Sequence, residues 1–198
     1  MKTLLRIDSS FNVEDSFSRN AADHYETLWR ELHPASKVVY RDLEKFEMPH
    51  LTQSVFSAFN TTEVSDNGLH ISNMLIDELE SADTVLISSP VYNYATPSTL
   101  KAYIDHVVRI NRTFGYDPEN YTRKGLLSGK KAAVIVSRGG MPINGESPDG
   151  VERYLQGILN FIGIVEVDTF SIYGTTHEGS ANRFRSTKEQ ITQCFNQN

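Results

Sequence analysis

Short apolar runs alternate with amphipathic helical repeats along almost the whole chain, and that alternation leaves few folds open. Thr3–Ile7, Lys37–Arg41, Thr84–Ser88, Lys131–Val136 and Val165–Tyr173 read as strands. The third, Thr84-Val85-Leu86-Ile87-Ser88, is almost wholly apolar, as a strand buried on both faces must be. Between the strands lie helical repeats. The first opens at Ser16 or Phe17, repeats apolar residues at Ala21, Tyr25, Leu28, Trp29 and Leu32, and stops at His33-Pro34. Others cover Asn67–Leu79, Thr96–Ile110, Asp149–Ile162 and Ala181–Phe195, with a shorter helix at Leu51–Phe59. Thr96 followed by Pro97 reads as an N-cap and first turn. Strands alternating with helices predict an α/β protein: a five-stranded parallel sheet, order 2-1-3-4-5, covered by helices on both faces in three layers. With no linker or repeat interrupting the pattern, residues 1–198 read as one domain.

An open parallel sheet binds its ligand outside the carboxyl ends of its strands, where the strand order reverses. Three such ends carry unusual loops: Ser9-Ser10 with Ser16-Phe17-Ser18, Pro90-Val91-Tyr92-Asn93-Tyr94, and Ser137-Arg138-Gly139-Gly140. Each alone is commonly a cap, a core aromatic or a turn. Three together at neighbouring strand ends point to one site. A fourth segment, Asn111–Gly129, is too long for a plain connector.

The residue types in these loops favour a flat, phosphorylated ligand. Ser10, Ser16 and Ser18 offer hydroxyls, and a helix beginning at Phe17 offers unpaired N–H groups at its positive end, an uncharged cradle for a phosphate. Tyr92 and Tyr94 can stack on or edge a heteroaromatic ring, and Asn93 can meet its heteroatoms. Gly139-Gly140 lets the main chain approach closely, while Ser137 and Arg138 add hydrogen-bonding capacity. Neither G-x-x-x-x-G-K-[ST] nor G-x-G-x-x-G follows the first strand, which disfavours a nucleoside triphosphate or a Rossmann-bound dinucleotide.

Composition removes other classes. A net charge of −6 with scattered basic residues disfavours nucleic acid. No apolar run approaches the roughly 18 residues of a membrane span, so no membrane role is expected. Six scattered histidines show no metal-ligand spacing, and no metal is expected. The lone Cys194 cannot form an internal disulfide and suits a reducing cytoplasm.

The motifs S-S-x5-S-x-S (from Ser9), P-x-Y-N-[FY]-x-x-P-x-x-L-K (from Pro90) and K-K-A-x-V-I-x-S-R-G-G (from Lys130) resemble those of the FMN-dependent NADH azoreductases, also called quinone reductases, of flavodoxin-like fold. The likeness runs from about Lys2 to about Tyr173. It implies a tight, non-covalent FMN. Ser10, Ser16, Phe17 and Ser18 would hold its phosphate, and Val91, Tyr92, Asn93, Tyr94, Ser137, Arg138, Gly139 and Gly140 would embrace its ring. It also implies ping-pong hydride transfer from NADH or NADPH to quinones and aromatic azo compounds, with the difficult chemistry on the cofactor and no catalytic side chain. Family sites lie between two subunits, so a homodimer is implied, with Tyr116 and Phe161 in the substrate pocket and Tyr103, Val107 and Val108 as apolar interface candidates. The chain departs from the family's usual residues at Phe17, Val91 and Tyr94, and lacks a Gly-Pro pair after Tyr116.

Two alternatives share the fold: a flavodoxin-type carrier of single electrons and a related flavin-binding NAD(P)H quinone reductase. Arg138 and the spread-out serine loop fit the enzyme better than the carrier. A phosphate-accepting receiver domain fails, because the third strand ends Ser88-Ser89-Pro90 with no aspartate.

Overall fold

The computed structural model describes residues 1–59, 68–142 and 150–197. Five parallel strands form the central sheet: β1 Thr3–Asp8, β2 Lys37–Asp42, β3 Thr84–Pro90, β6 Lys131–Ser137 and β7 Glu166–Ile172. Their order, β2-β1-β3-β6-β7, is the predicted 2-1-3-4-5 with a small ribbon of two further strands numbered in between. The helices are α1 Phe17–Leu32, α2 Gln53–Ala58, α3 His70–Ser81, α4 Ser98–Val107, α5 Gly150–Ile162 and α6 Ser180–Asn196. Asn67 and Asp149, expected to open α3 and α5, lie outside the described residues.

The pleat explains why the central strands β3 and β6 are largely apolar, while the edge strands β2 and β7 carry charged residues. Successive side chains point to opposite faces. Leu4, Leu86, Ala133 and Ile135 pack with Ala21, Tyr25 and Trp29 of α1 on one face. Leu5, Ile7, Val85, Ile87, Val134 and Val136 pack with α3, α4 and α5 on the other. Tyr103 and Val107 are 2% exposed within this second core, so they cannot serve as the interface candidates expected of them.

Two boundaries of the helix expected at Thr96–Ile110 move inward for identifiable reasons. Pro97, not Thr96, is the N-cap: its ψ of 146° is extended, and the residue before a proline is itself pushed out of the helical region. At the other end the buried hydroxyl of Thr113 donates to the Val107 carbonyl at 2.6 Å and accepts from the Arg109 N–H at 3.0 Å. These bonds take the backbone groups that a longer helix would need.

The long Asn111–Gly129 segment is ordered by the antiparallel ribbon β4 Phe114–Tyr116 and β5 Arg123–Gly125. The ribbon docks on the end of α5 by backbone contact. Leu127 N–H donates to Ile162 O at 2.8 Å, and Arg123 donates to Phe161 O at 2.8 Å. Gly125 and Gly163 meet so closely that a Cβ on Gly125 would lie 2.2 Å from the Gly163 nitrogen. Replacing Gly125→Ala is therefore expected to push ribbon and helix apart at a cost of about 1–3 kcal/mol. Urea unfolding checks this: a lower midpoint agrees, and an unchanged one would mean the contact carries no packing.

Candidate functional site

The register sets where the three loops begin. Asp8 pairs with Ser88, and Pro90 pairs with Ser137, so the exits of β1, β3 and β6 stand side by side. The chain leaving β1 turns to α1 on one face, whereas that leaving β3 turns to α4 on the other. A crevice opens between them. It is a cleft of about 1030 Å³ whose walls include Ser9, Phe11, Val91, Tyr92, Asn93 and Tyr94, together with the start of α4 and of α5.

The second loop is a tight turn at its mouth. Tyr92 and Ala95 exchange N–H···O bonds of 2.9 and 3.0 Å, and the two residues between them have φ of 51° (Asn93) and 67° (Tyr94). Positive φ at both central positions makes this a type I′ turn. Asparagine suits its position, but tyrosine there is strained by roughly 1–2 kcal/mol. The turn holds the Tyr94 ring wholly exposed at the cleft's edge. Val91 N–H donates to Ser137 O at 2.8 Å and ties this loop to the third.

The first loop is joined to the second through aromatic and hydroxyl contacts. Phe11 stacks on Tyr92 with centroids 4.5 Å apart, and the Ser10 and Tyr92 hydroxyls lie 3.3 Å apart. Ser16 is the N-cap of α1, its Oγ accepting from Arg19 N–H at 3.4 Å and lying 3.2 Å from Ser18 Oγ. The N–H groups of Phe17 and Ser18, in the first turn, have no intrahelical acceptor. Phe17 offers only that backbone group, because its ring packs edge-on against Phe184 at 5.5 Å.

In the third loop the Arg138 side chain is a brace rather than an open donor. It pairs with the buried Glu152, which also accepts from Ser171 Oγ at 2.7 Å, and its guanidinium lies 5.2 Å from the Tyr173 ring centroid. The Gly139 carbonyl accepts from Thr176 Oγ1 at 3.0 Å, and the Gly140 carbonyl accepts from Gly174 N–H at 2.9 Å. A Cβ on Gly140 would meet nothing within 4 Å, so bare backbone faces open space there. Ser137 is buried.

Tyr116 and Phe161 are not among the residues that line the cleft. Phe161 lies 11 positions along α5 from Gly150, or about 16 Å at the helical rise. There it packs between Phe114, centroids 4.8 Å apart, and the Arg123 guanidinium at 4.2 Å.

Sequence reasoning missed the buried charges behind the first loop. Arg19 pairs with Asp42, Arg6 with Asp8, Asp23 and Glu26, and Ser88 Oγ donates to Asp8 at 2.5 Å. Burial pushes the Asp8 carboxyl above the usual range, against the pull of Arg6, Ser88 and Arg19. Burial also works to lower the Arg19 pKa, but Asp42 and Asp8 outweigh it and the net shift is upward. Glu44, Lys101 and Tyr154 in the cleft wall were likewise unforeseen. The available signal was positional: Asp8 and Asp42 each end a strand, and Arg19 follows the serine cluster.

This sheet order with a cleft at its switch point defines a doubly wound α/β protein of the ligand-binding kind. The chain belongs to the flavodoxin-like fold family, whose model matches residues 1–194. Relatives similar along most of this chain include proteins described as FMN-dependent NADH:quinone oxidoreductase. That of Nostoc punctiforme is 38% identical over 190 residues, covering 91% of each chain. That of Xanthobacter autotrophicus is 42% identical over 177 residues, 85% of this chain and 84% of its own length. Among solved structures, an azoreductase from Bacillus anthracis strain Sterne superimposes with a TM-score of 0.87 at 23% identity, with both chains fully covered. An FMN-dependent NADH-azoreductase from Bacillus anthracis strain Ames Ancestor, in complex with FMN, gives 0.85 at 23% identity and 99% coverage of each. At that identity the superpositions speak for the fold.

The strained turn has a direct test. Tyr94→Gly converts it to Asn-Gly, the preferred type I′ pair. The apoprotein is expected to gain about 1 kcal/mol in denaturant unfolding. A loss of stability would mean that the turn stores no strain.

Proposed function

We propose that this chain is an FMN-dependent oxidoreductase that takes reducing equivalents from NADH or NADPH and reduces quinones by two electrons and aromatic azo compounds. The observation that carries the reading is that the loops leaving β1 and β3 wall one cleft at the switch point, with the loop leaving β6 tied beside them by the Val91 N–H bond to Ser137 O. The relatives' shared description supports it. When bound, FMN supplies hydride transfer between the nicotinamide and the acceptor, chemistry that no side chain here offers.

The residues fit such a group. Ser10, Ser16 and Ser18, with the first-turn N–H groups of Phe17 and Ser18, present donors to a phosphate at the positive end of α1. Val91, Tyr92, Asn93 and Tyr94 form one wall for the flat ring, with Phe11 beside them. Ser137, Arg138, Gly139 and Gly140 would bound the ring on its other side: the bare Gly140 backbone allows close approach, and the Arg138–Glu152 brace holds the loop in place. Backbone N–H groups of Gly139 and Gly140 would stabilise negative charge on the ring's polar edge. Phe11 and Tyr94 would shield the reacting face from water.

A homodimer completes the pocket in this reading. Tyr116 and Phe161 lie away from the cleft of their own chain, and in this reading they would line that of a second copy. The exposed rim residues Phe11 and Tyr94 suit burial by a partner. A cytoplasmic location fits the single cysteine. Among the described residues no helix is long and apolar enough to cross a membrane.

The test is to reconstitute the purified protein with FMN, record the flavin bands, and follow NADH oxidation by a quinone without any partner protein. Gly140→Val should keep its helix content, since space is open there, and weaken FMN retention at least tenfold, about 1.4 kcal/mol. A protein that stays colourless, or that consumes no NADH unless a partner protein is added, contradicts the proposal.

A further inference from the structure

Behind the serine cradle stands a side chain that the proposed chemistry does not call on. Arg19 is 8% exposed, and its guanidinium is shared between two elements. Nε and Nη2 donate to the Ser10 carbonyl at 3.2 and 2.6 Å. Nη1 and Nη2 donate to the two Asp42 carboxylate oxygens at 2.8 and 2.7 Å. Nη1 also lies 3.7 Å from Asp8. The fork thus ties the end of β2 to the second residue of the loop leaving β1. It does so from the position directly after Ser18.

Stability does not explain such an arrangement. A buried ion pair gains little net free energy, because stripping water from both charges offsets their attraction. Long-range attraction for a phosphate does not explain it either, since Asp42 and Asp8 face Arg19, while Arg6 is matched by Asp8, Asp23 and Glu26. What the fork does is fix direction. A carbonyl turned into the cradle would present its negative end to an incoming anion, and Arg19 holds the Ser10 carbonyl on the guanidinium instead. The same residue's hydroxyl reaches Tyr92, so one anchor governs both the phosphate loop and the adjoining aromatic loop.

We propose that Arg19, held by Asp42, is a positioning residue that sets this protein's preference for a phosphorylated flavin over one lacking the phosphate. The inference rests on the reading of the cleft as an FMN site. It concerns binding selectivity, so activity need not be its readout.

The test compares dissociation constants of the apoprotein for FMN and for riboflavin, read by quenching of flavin fluorescence. Arg19→Lys keeps the charge but replaces the planar fork with a point donor unable to span both partners. FMN binding is expected to weaken about tenfold or more, the scale of a charge-assisted hydrogen bond, with riboflavin binding changed by no more than about twofold. Asp42→Asn, which loosens the fork from its other end, should act in the same direction and serves if the lysine variant does not fold. Equal weakening of both flavins would show a merely structural role, and unchanged binding of both would show no role; either overturns the proposal. A wild-type protein without preference for FMN overturns the underlying reading of the site instead.

Discussion

Everything about the site follows from one topological fact: β1 and β3 are neighbours, yet their chains depart to opposite faces of the sheet. Hydrogen bonding holds the strands about 4.8 Å apart along their length. Beyond Asp8 and Pro90 the strand ladder ends, helix packing carries the departing chains to opposite faces, and the side-chain contacts of Tyr92 with Ser10 and Phe11 bridge the gap. The crevice needs no special residues to exist. Residues are needed only to shape it.

Shaping is done by two contrasting devices. Within the sheet's rim, buried polar groups pair with one another: Ser9 with Ser88, Ser88 with Asp8, and Arg19 with Ser10. Such groups are costly to bury unless each finds a partner, so together they accept few alternative arrangements. At the mouth the opposite holds. Tyr94 is forced into a left-handed conformation and its ring faces solvent. A firm base with a strained, exposed rim suits a site that must hold one ligand while admitting others in turn.

Much of this was legible in the sequence. Alternation of apolar runs with 3.6-residue repeats predicts the parallel sheet, because strands buried on both faces must be largely apolar, and the order 2-1-3-4-5 is the switch-point arrangement of a five-stranded sheet of this kind. The three loops were visible because Ser, Tyr-Asn-Tyr and Gly-Gly are unusual directly after apolar strands. What escaped was every feature that depends on a distant partner. The end of α4 is set by Thr113, six residues on from Val107. The role of Arg138 is set by Glu152, and that of Arg19 by Asp42. The Asn111–Gly129 segment read as a loop because β4 and β5 are three residues each and rely on the α5 terminus for support. Propensity at that length is too weak to show.

The most direct measurement is a crystal structure of the protein with FMN bound. On this account the phosphate lies at the first turn of α1 beside Ser16 and Ser18, and the ring lies between the Tyr92–Tyr94 turn and Gly139-Gly140. Flavin found instead at the amino ends of the strands, in the cavity around Tyr25, Trp29 and Phe195, would contradict it.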